Sequence, residues 1–213
     1  AYSYRALINS SSSLNVKRTT PMTELREQSR PSEASASPTL KPGRRYLSII
    51  AHVSGENAQR LEEWKQKTTG IPVDSMSTHV TVYVAELDDF LLDTVCSPRF
   101  SEDLGASRLE ARWGSVQSFR PVTEVDYLDL EAGKAEFEWI HQKLVQMLGT
   151  GAAPFPYVPH VTLGYGLSEE QVANAREVFD ALPAEQRTFS VDYLHCYSYD
   201  GQNWEEIGVL PLR

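Results

Sequence analysis

The tetrapeptide His-Val-Thr-apolar occurs twice, as His79-Val80-Thr81-Val82 and His160-Val161-Thr162-Leu163, each inside a short apolar, β-branched run of the kind that forms strands. In a strand, residues two apart share a face. Each copy therefore presents an imidazole and a hydroxyl side by side, with the intervening valine directed to the opposite face. For five histidines and thirteen threonines in 213 residues, random order gives on the order of a third of one His-x-Thr match. Two copies with the same flanks, 81 positions apart, predict an internally duplicated fold in which each half supplies one arm of a shared cleft.

The elements around the motifs repeat in the same way. A strand is expected over 46–53 and a helix over 54–69, capped by Ser54, stopped by Gly70 and carrying a stripe of Ala58, Leu61 and Trp64. The first motif strand follows over 78–85. Strand-like runs over 108–119 and 122–130 flank the break at Arg120-Pro121. A second helix over 134–148, with Phe137, Ile140, Leu144, Val145 and Leu148 on one face, ends at Gly149 and precedes the second motif strand. Ser168 and Gln171 form a capping box opening a third helix that Pro183 ends. A final strand pair over 189–199 and 204–209 turns at Asp200-Gly201.

Charge divides the chain and restricts its partners. Residues 1–43 carry six Lys/Arg and three Asp/Glu, whereas residues 44–213 carry fourteen and twenty-six. A surface so acidic repels long phosphate backbones, whose affinity rests on Lys/Arg neutralisation. A small nucleotide or short oligonucleotide is the expected partner, and long nucleic acid is not. Residues 1–43, rich in Ser and Pro, form a low-complexity tail expected to be disordered or draped over the domain of residues 44–213, with Tyr2, Tyr4 and Leu7 as anchors. No run is apolar for long enough to span a bilayer, and Ser10 to Ser13 interrupt any secretory core. A cytoplasmic setting is expected, or an organelle matrix if the first 22 residues, with Arg5, Lys17 and Arg18 and no acidic residue, are a targeting segment. Cys96 and Cys196 read as reduced core or strand residues.

Cleavage of a phosphodiester at neutral pH needs one proton taken from the attacking oxygen and another given to the leaving oxygen. Two imidazoles can do both. The expected catalytic set is His79, Thr81, His160 and Thr162, with the hydroxyls donating to non-bridging phosphate oxygens. No metal ligand set at close spacing adjoins either motif, and no cofactor is expected. Tyr83 and Tyr165, close behind the two motifs, and Tyr46, Tyr157 and His195 are the expected substrate contacts.

With these residues the chain resembles the 2H phosphoesterase superfamily, which includes bacterial 2'-5' RNA ligase-like proteins, cyclic phosphodiesterases and 2'-5' oligoadenylate phosphodiesterases. The resemblance covers about residues 44–213 and rests on Thr78 to Val82, on Pro159 to Gly164 and on the closing hairpin around Gly201 and Trp204. It implies an α+β fold of two pseudo-symmetric lobes, antiparallel sheets lining a central cleft and helices outside. It also implies a metal-independent phosphodiesterase acting on a 2',3'-cyclic phosphate, a 2'-5' oligonucleotide or a cyclic oligonucleotide. Several relatives carry a basic residue just after one motif where this chain has Tyr83 and Tyr165, which weighs against ligation and long RNA. A non-catalytic nucleotide-binding module and an RNA end-processing or 2'-5' ligase activity are the alternatives; oligomeric state is left open.

Overall fold

The computed structural model describes residues 40–41, 43–70, 78–153 and 155–213; the expected tail and its anchors Tyr2, Tyr4 and Leu7 lie outside them, apart from Leu40, Lys41 and Gly43. Among the described residues eight strands form one antiparallel sheet: β1 (Tyr46–His52), β2 (His79–Glu86), β3 (Leu109–Ser118), β4 (Val125–Ala132), β5 (Val161–Tyr165), β6 (Thr188–Val191), β7 (Tyr193–Tyr199) and β8 (Trp204–Pro211). Their order is β6-β3-β4-β5-β2-β1-β7-β8, so the two motif strands, β5 and β2, are the innermost pair. Each half contributes four strands. The halves meet at Val80, which pairs with Val161.

Helix α1 (Gly55–Thr69) links β1 to β2, and α2 (Asp89–Val95) and α3 (Phe100–Leu104) lie between β2 and β3. Helix α4 (Lys134–Leu148) links β4 to β5, and α5 (Glu169–Phe179) follows β5. The strand-helix-strand unit is thus repeated, with each pair of strands antiparallel. The linking helices cross over: α1 packs against β5 and β6, and α4 packs against β2 as well as β4. Trp64 on α1 bonds Asn174 on α5 at 2.9 Å and meets the Phe179 ring edge-on. His141 on α4 bonds the Val82 carbonyl of β2 at 2.7 Å. Burying Leu61, Phe137, Ile140, Leu144, Val80, Val82 and Val161 on this side of the sheet makes each half a wall of the other's core.

Several local expectations are met. Gly70 ends α1 in the left-handed region at φ 69°, and Ser168 and Gln171 close the capping box of α5. Others need correction. Ser54 has N-cap backbone angles but makes no capping bond; its hydroxyl reaches the Ser190 carbonyl instead. The run 189–199 is two strands. At Asp192 the chain leaves β6 at one edge of the sheet and enters β7 beside β1 in the other half, held there by Leu212 N–H on the Asp192 carbonyl and by Arg108 on its carboxylate. Cys196 is a buried strand residue, whereas Cys96 ends α2 and is exposed. Among the described residues no helix is long and apolar enough to cross a membrane.

Candidate active site

The face of the sheet opposite the helices carries the motif side chains. Antiparallel pairing of Val80 with Val161 sets the register. Carried one residue either way, it places His79 across from Thr162 and Thr81 across from His160. Directly opposed side chains start about 5 Å apart and diagonal ones about 7–8 Å apart. The four groups therefore form a square with the histidines on one diagonal and the threonines on the other, a spacing that admits a phosphate between the imidazoles.

Both motif strands bulge immediately after the threonine. Ile49 and Ile50 of β1 face Tyr83 and Thr81, leaving Val82 as the extra residue of β2. Asp126 and Tyr127 of β4 face Gly164 and Thr162, leaving Leu163 as the extra residue of β5. A bulge keeps two successive side chains on one side and resets the alternation beyond it. Tyr83, four residues after its histidine, consequently turns into the helix-side core, 2% exposed, its hydroxyl donating to the Gly149 carbonyl at 3.0 Å. Burial pushes its phenol up to about 12. Its counterpart in β5 is Gly164, where a Cβ would lie 2.7 Å from the Leu167 side chain. Tyr165, one position further on, stays on the motif face with Phe119, Val125 and Tyr127. The two tyrosines are not equivalent, and the expectation that Tyr83 contacts substrate is corrected by the bulge.

Tyr157 and Tyr46 are corrected as well. Tyr157 stacks on His141 with centroids 4.0 Å apart and donates its hydroxyl to the Thr81 backbone carbonyl at 3.0 Å, so it braces β2 from the helix side. Tyr46 pairs with Glu86 at the far end of β1, whereas His52 pairs with His79. At the rise of a strand Tyr46 lies roughly 20 Å along the sheet from the level of His79. Its ring is buried against Leu40 and Tyr199, and its hydroxyl accepts from Lys41 N–H at 2.8 Å. His195 does lie on the motif face, two strands from β2.

The two imidazoles have different surroundings. His160 is flanked edge-on by the rings of Phe119 and Tyr127, both at 5.1 Å, which stack on each other at 4.1 Å. Its Nδ1 lies 2.7 Å from the Val158 carbonyl, which can only accept, so Nδ1 carries the proton and Nε2 is left as a lone-pair acceptor. Desolvation between the rings holds its pKa below the ordinary 6.5, against a smaller opposing effect of the Val158 carbonyl. His79 is buried, 8% exposed, and its cross-strand neighbour is a second imidazole, His52. His52 Nε2 lies 3.2 Å from the Tyr197 hydroxyl, and the His52 ring meets the His195 ring at 4.5 Å. His195 Nδ1 in turn contacts Glu206 at 2.9 Å. Burial first, and His195 second, hold the pKa of His52 low.

Phe119, Tyr127 and Glu206 have no signature in the sequence. They come to the site through the pairing of β3, β4 and β8, and the register of strands joined over long distances is not encoded in any local pattern.

A family model described as the 2'-5' RNA ligase superfamily matches residues 53–203, well over half of the chain. Among solved structures, E. coli LigT in apo form aligns with 14% identity and a TM-score of 0.57, over 80% of this chain and 98% of that one. E. coli LigT complexed with 3'-AMP aligns with 15% identity and a TM-score of 0.55, over 81% and 99%. A further structure, described as a phosphoesterase, gives 15% and 0.55 over 79% and 98%. At these identities the likeness is one of fold. No curated protein matches the chain. With the family model spanning both motif strands and the fold shared over nearly all of LigT, this chain belongs to the 2'-5' RNA ligase superfamily of 2H phosphoesterases.

Proposed function

We propose that the protein hydrolyses a small nucleotide phosphodiester by metal-independent, two-histidine acid-base catalysis. The observation that carries this is the square of His79, Thr162, Thr81 and His160 at the seam of the sheet, which follows from the Val80–Val161 pair. His160 is the general base, because its protonated Nδ1 and its desolvated ring present a neutral Nε2 lone pair. His79 is the general acid. Thr81 and Thr162, both half-buried, donate to the non-bridging oxygens as charge builds on phosphorus.

With a 2',3'-cyclic phosphate, His160 takes a proton from water, the water oxygen bonds to phosphorus, the bond to one ribose oxygen breaks, and His79 protonates that oxygen. With a 2'-5' linkage, the neighbouring 3'-hydroxyl attacks in place of water. The LigT complex with 3'-AMP supports a nucleotide as the ligand class. The excess of Asp/Glu over residues 44–213 supports a short substrate over long RNA. Tyr165, on the motif face with Phe119 and Tyr127, is proposed to contact the nucleoside part.

The test is hydrolysis of 2',3'-cyclic nucleotides, 2'-5' oligoadenylate, cyclic oligonucleotides and 3'-5' RNA in EDTA, by wild type, His79→Ala and His160→Ala. Turnover that survives EDTA and falls at least about 10²-fold in each variant is expected. Tight binding without turnover would instead establish a nucleotide-binding module, and turnover indifferent to both substitutions would overturn the mechanism.

A further inference from the structure

We propose that His52, His195 and Glu206 form a binding site for one divalent cation of the zinc class, beside the catalytic square and separate from it. The three residues come from the end of β1, the start of β7 and the start of β8, and one ligand atom from each lies within 4.8 Å of the other two. Two imidazoles and a carboxylate are a donor set that zinc takes in sites with three protein ligands and a fourth position left for water or an oxyanion.

The rings are already arranged for convergence. His52 and His195 are diagonal neighbours on adjacent strands, with centroids 4.5 Å apart at 68°. His195 faces Glu206 at 2.9 Å, and His52 Nε2 is hydrogen-bonded to the Tyr197 hydroxyl at 3.2 Å. These contacts would be exchanged for metal bonds of about 2.0–2.2 Å, a shift within the reach of side-chain rotation on a fixed sheet. Tyr197 is 4% exposed and packs against Ile50, which holds the floor of the group in place. The positions 52, 195 and 206 are too far apart in sequence for ligand spacing to reveal them.

The proposal is independent of the hydrolytic reading, because cation binding can be read without turnover. The experiment is isothermal titration of zinc chloride into the full chain after chelator treatment and dialysis, with visible absorption of added Co²⁺ as a second readout. Wild type is expected to bind about one equivalent and to give the intense absorption of a low-coordinate Co²⁺ site. His195→Ala and the near-isosteric Glu206→Gln are each expected to weaken binding at least about tenfold, and His79→Ala to leave it unchanged. Circular dichroism of each variant identifies any loss that is due to unfolding, and Glu206, on the exposed edge strand, is the substitution least disruptive to the fold. Absence of saturable binding in wild type, equal affinity in wild type and a folded Glu206→Gln, or loss of binding in His79→Ala would each overturn the proposal.

Discussion

The two motif strands share a tetrapeptide, a position at the centre of the sheet and a bulge after the threonine, yet their histidines sit in different chemical settings. His160 is enclosed by the rings of Phe119 and Tyr127, and its desolvation there disfavours the charged form. His79 neighbours a polar file of His52, His195 and Glu206 that runs outward across β1, β7 and β8. Duplication supplies two copies of one reactive unit. In the proposed mechanism the strands packed outside each copy divide the labour between proton acceptor and proton donor.

That division is most sharply broken by changing the leaving group. With a natural ribose leaving oxygen, His79→Ala and His160→Ala are each expected to lose about 10²- to 10⁴-fold in kcat/KM. With an acidic phenol as leaving group, which departs without protonation, the His79→Ala loss should shrink to a few-fold while the His160→Ala loss persists. Steady-state kinetics on a 4-nitrophenyl nucleotide ester measures this. Equal rescue of both variants would reverse or abolish the assignment.

Next in size, Thr81→Val and Thr162→Val should each lower kcat by about 10²-fold with little change in KM, because the hydroxyl acts as charge develops. A selective rise in KM would mark a threonine as a ground-state contact only.

The aromatic enclosure predicts pH behaviour. Only neutral His160 accepts a proton, and desolvation lowers its pKa, so the acidic limb of kcat/KM should fall below 6.5. Tyr127→Ala admits water to the ring and should move that limb upward. The same shift affects stability. Below 6.5 the unfolded chain takes up a proton that folded His160 refuses, so stability is complete above 6.5 and falls with decreasing pH until the folded pKa is reached. Urea unfolding across this range should show the slope in wild type and a smaller one in Tyr127→Ala.

The smallest effect concerns the bracing of β2. Tyr157→Phe removes a hydroxyl from the Thr81 carbonyl and should cost about 1 kcal/mol in urea unfolding, with a modest loss of kcat if Thr81 drifts. No change in stability would show that Tyr157 does not hold the strand.

How much of this was legible follows from the range of the interactions. The motif strands and the caps at Gly70 and Ser168 depend on alternation and on backbone preferences within a few residues, and both can be read along the chain. The role expected of Tyr83 failed because one bulge residue, Val82, reverses every side chain after it, and a bulge is fixed by the partner strand. The division of 189–199 at Asp192 was hidden because both pieces have strand composition, and only their destinations on the two halves separate them.

The sequence by itself determined that two strands would each present an imidazole beside a hydroxyl, since a period of two is a property of the extended backbone. The tertiary structure alone decided that the two pairs face each other with the imidazoles on a diagonal, that burial beside Phe119 and Tyr127 lowers the proton affinity of one imidazole, and that His52, His195 and Glu206 converge beside the other. Proton affinity and ligand geometry depend on what lies within a few ångströms in space, and those neighbours were brought together by the pairing of strands far apart in the chain.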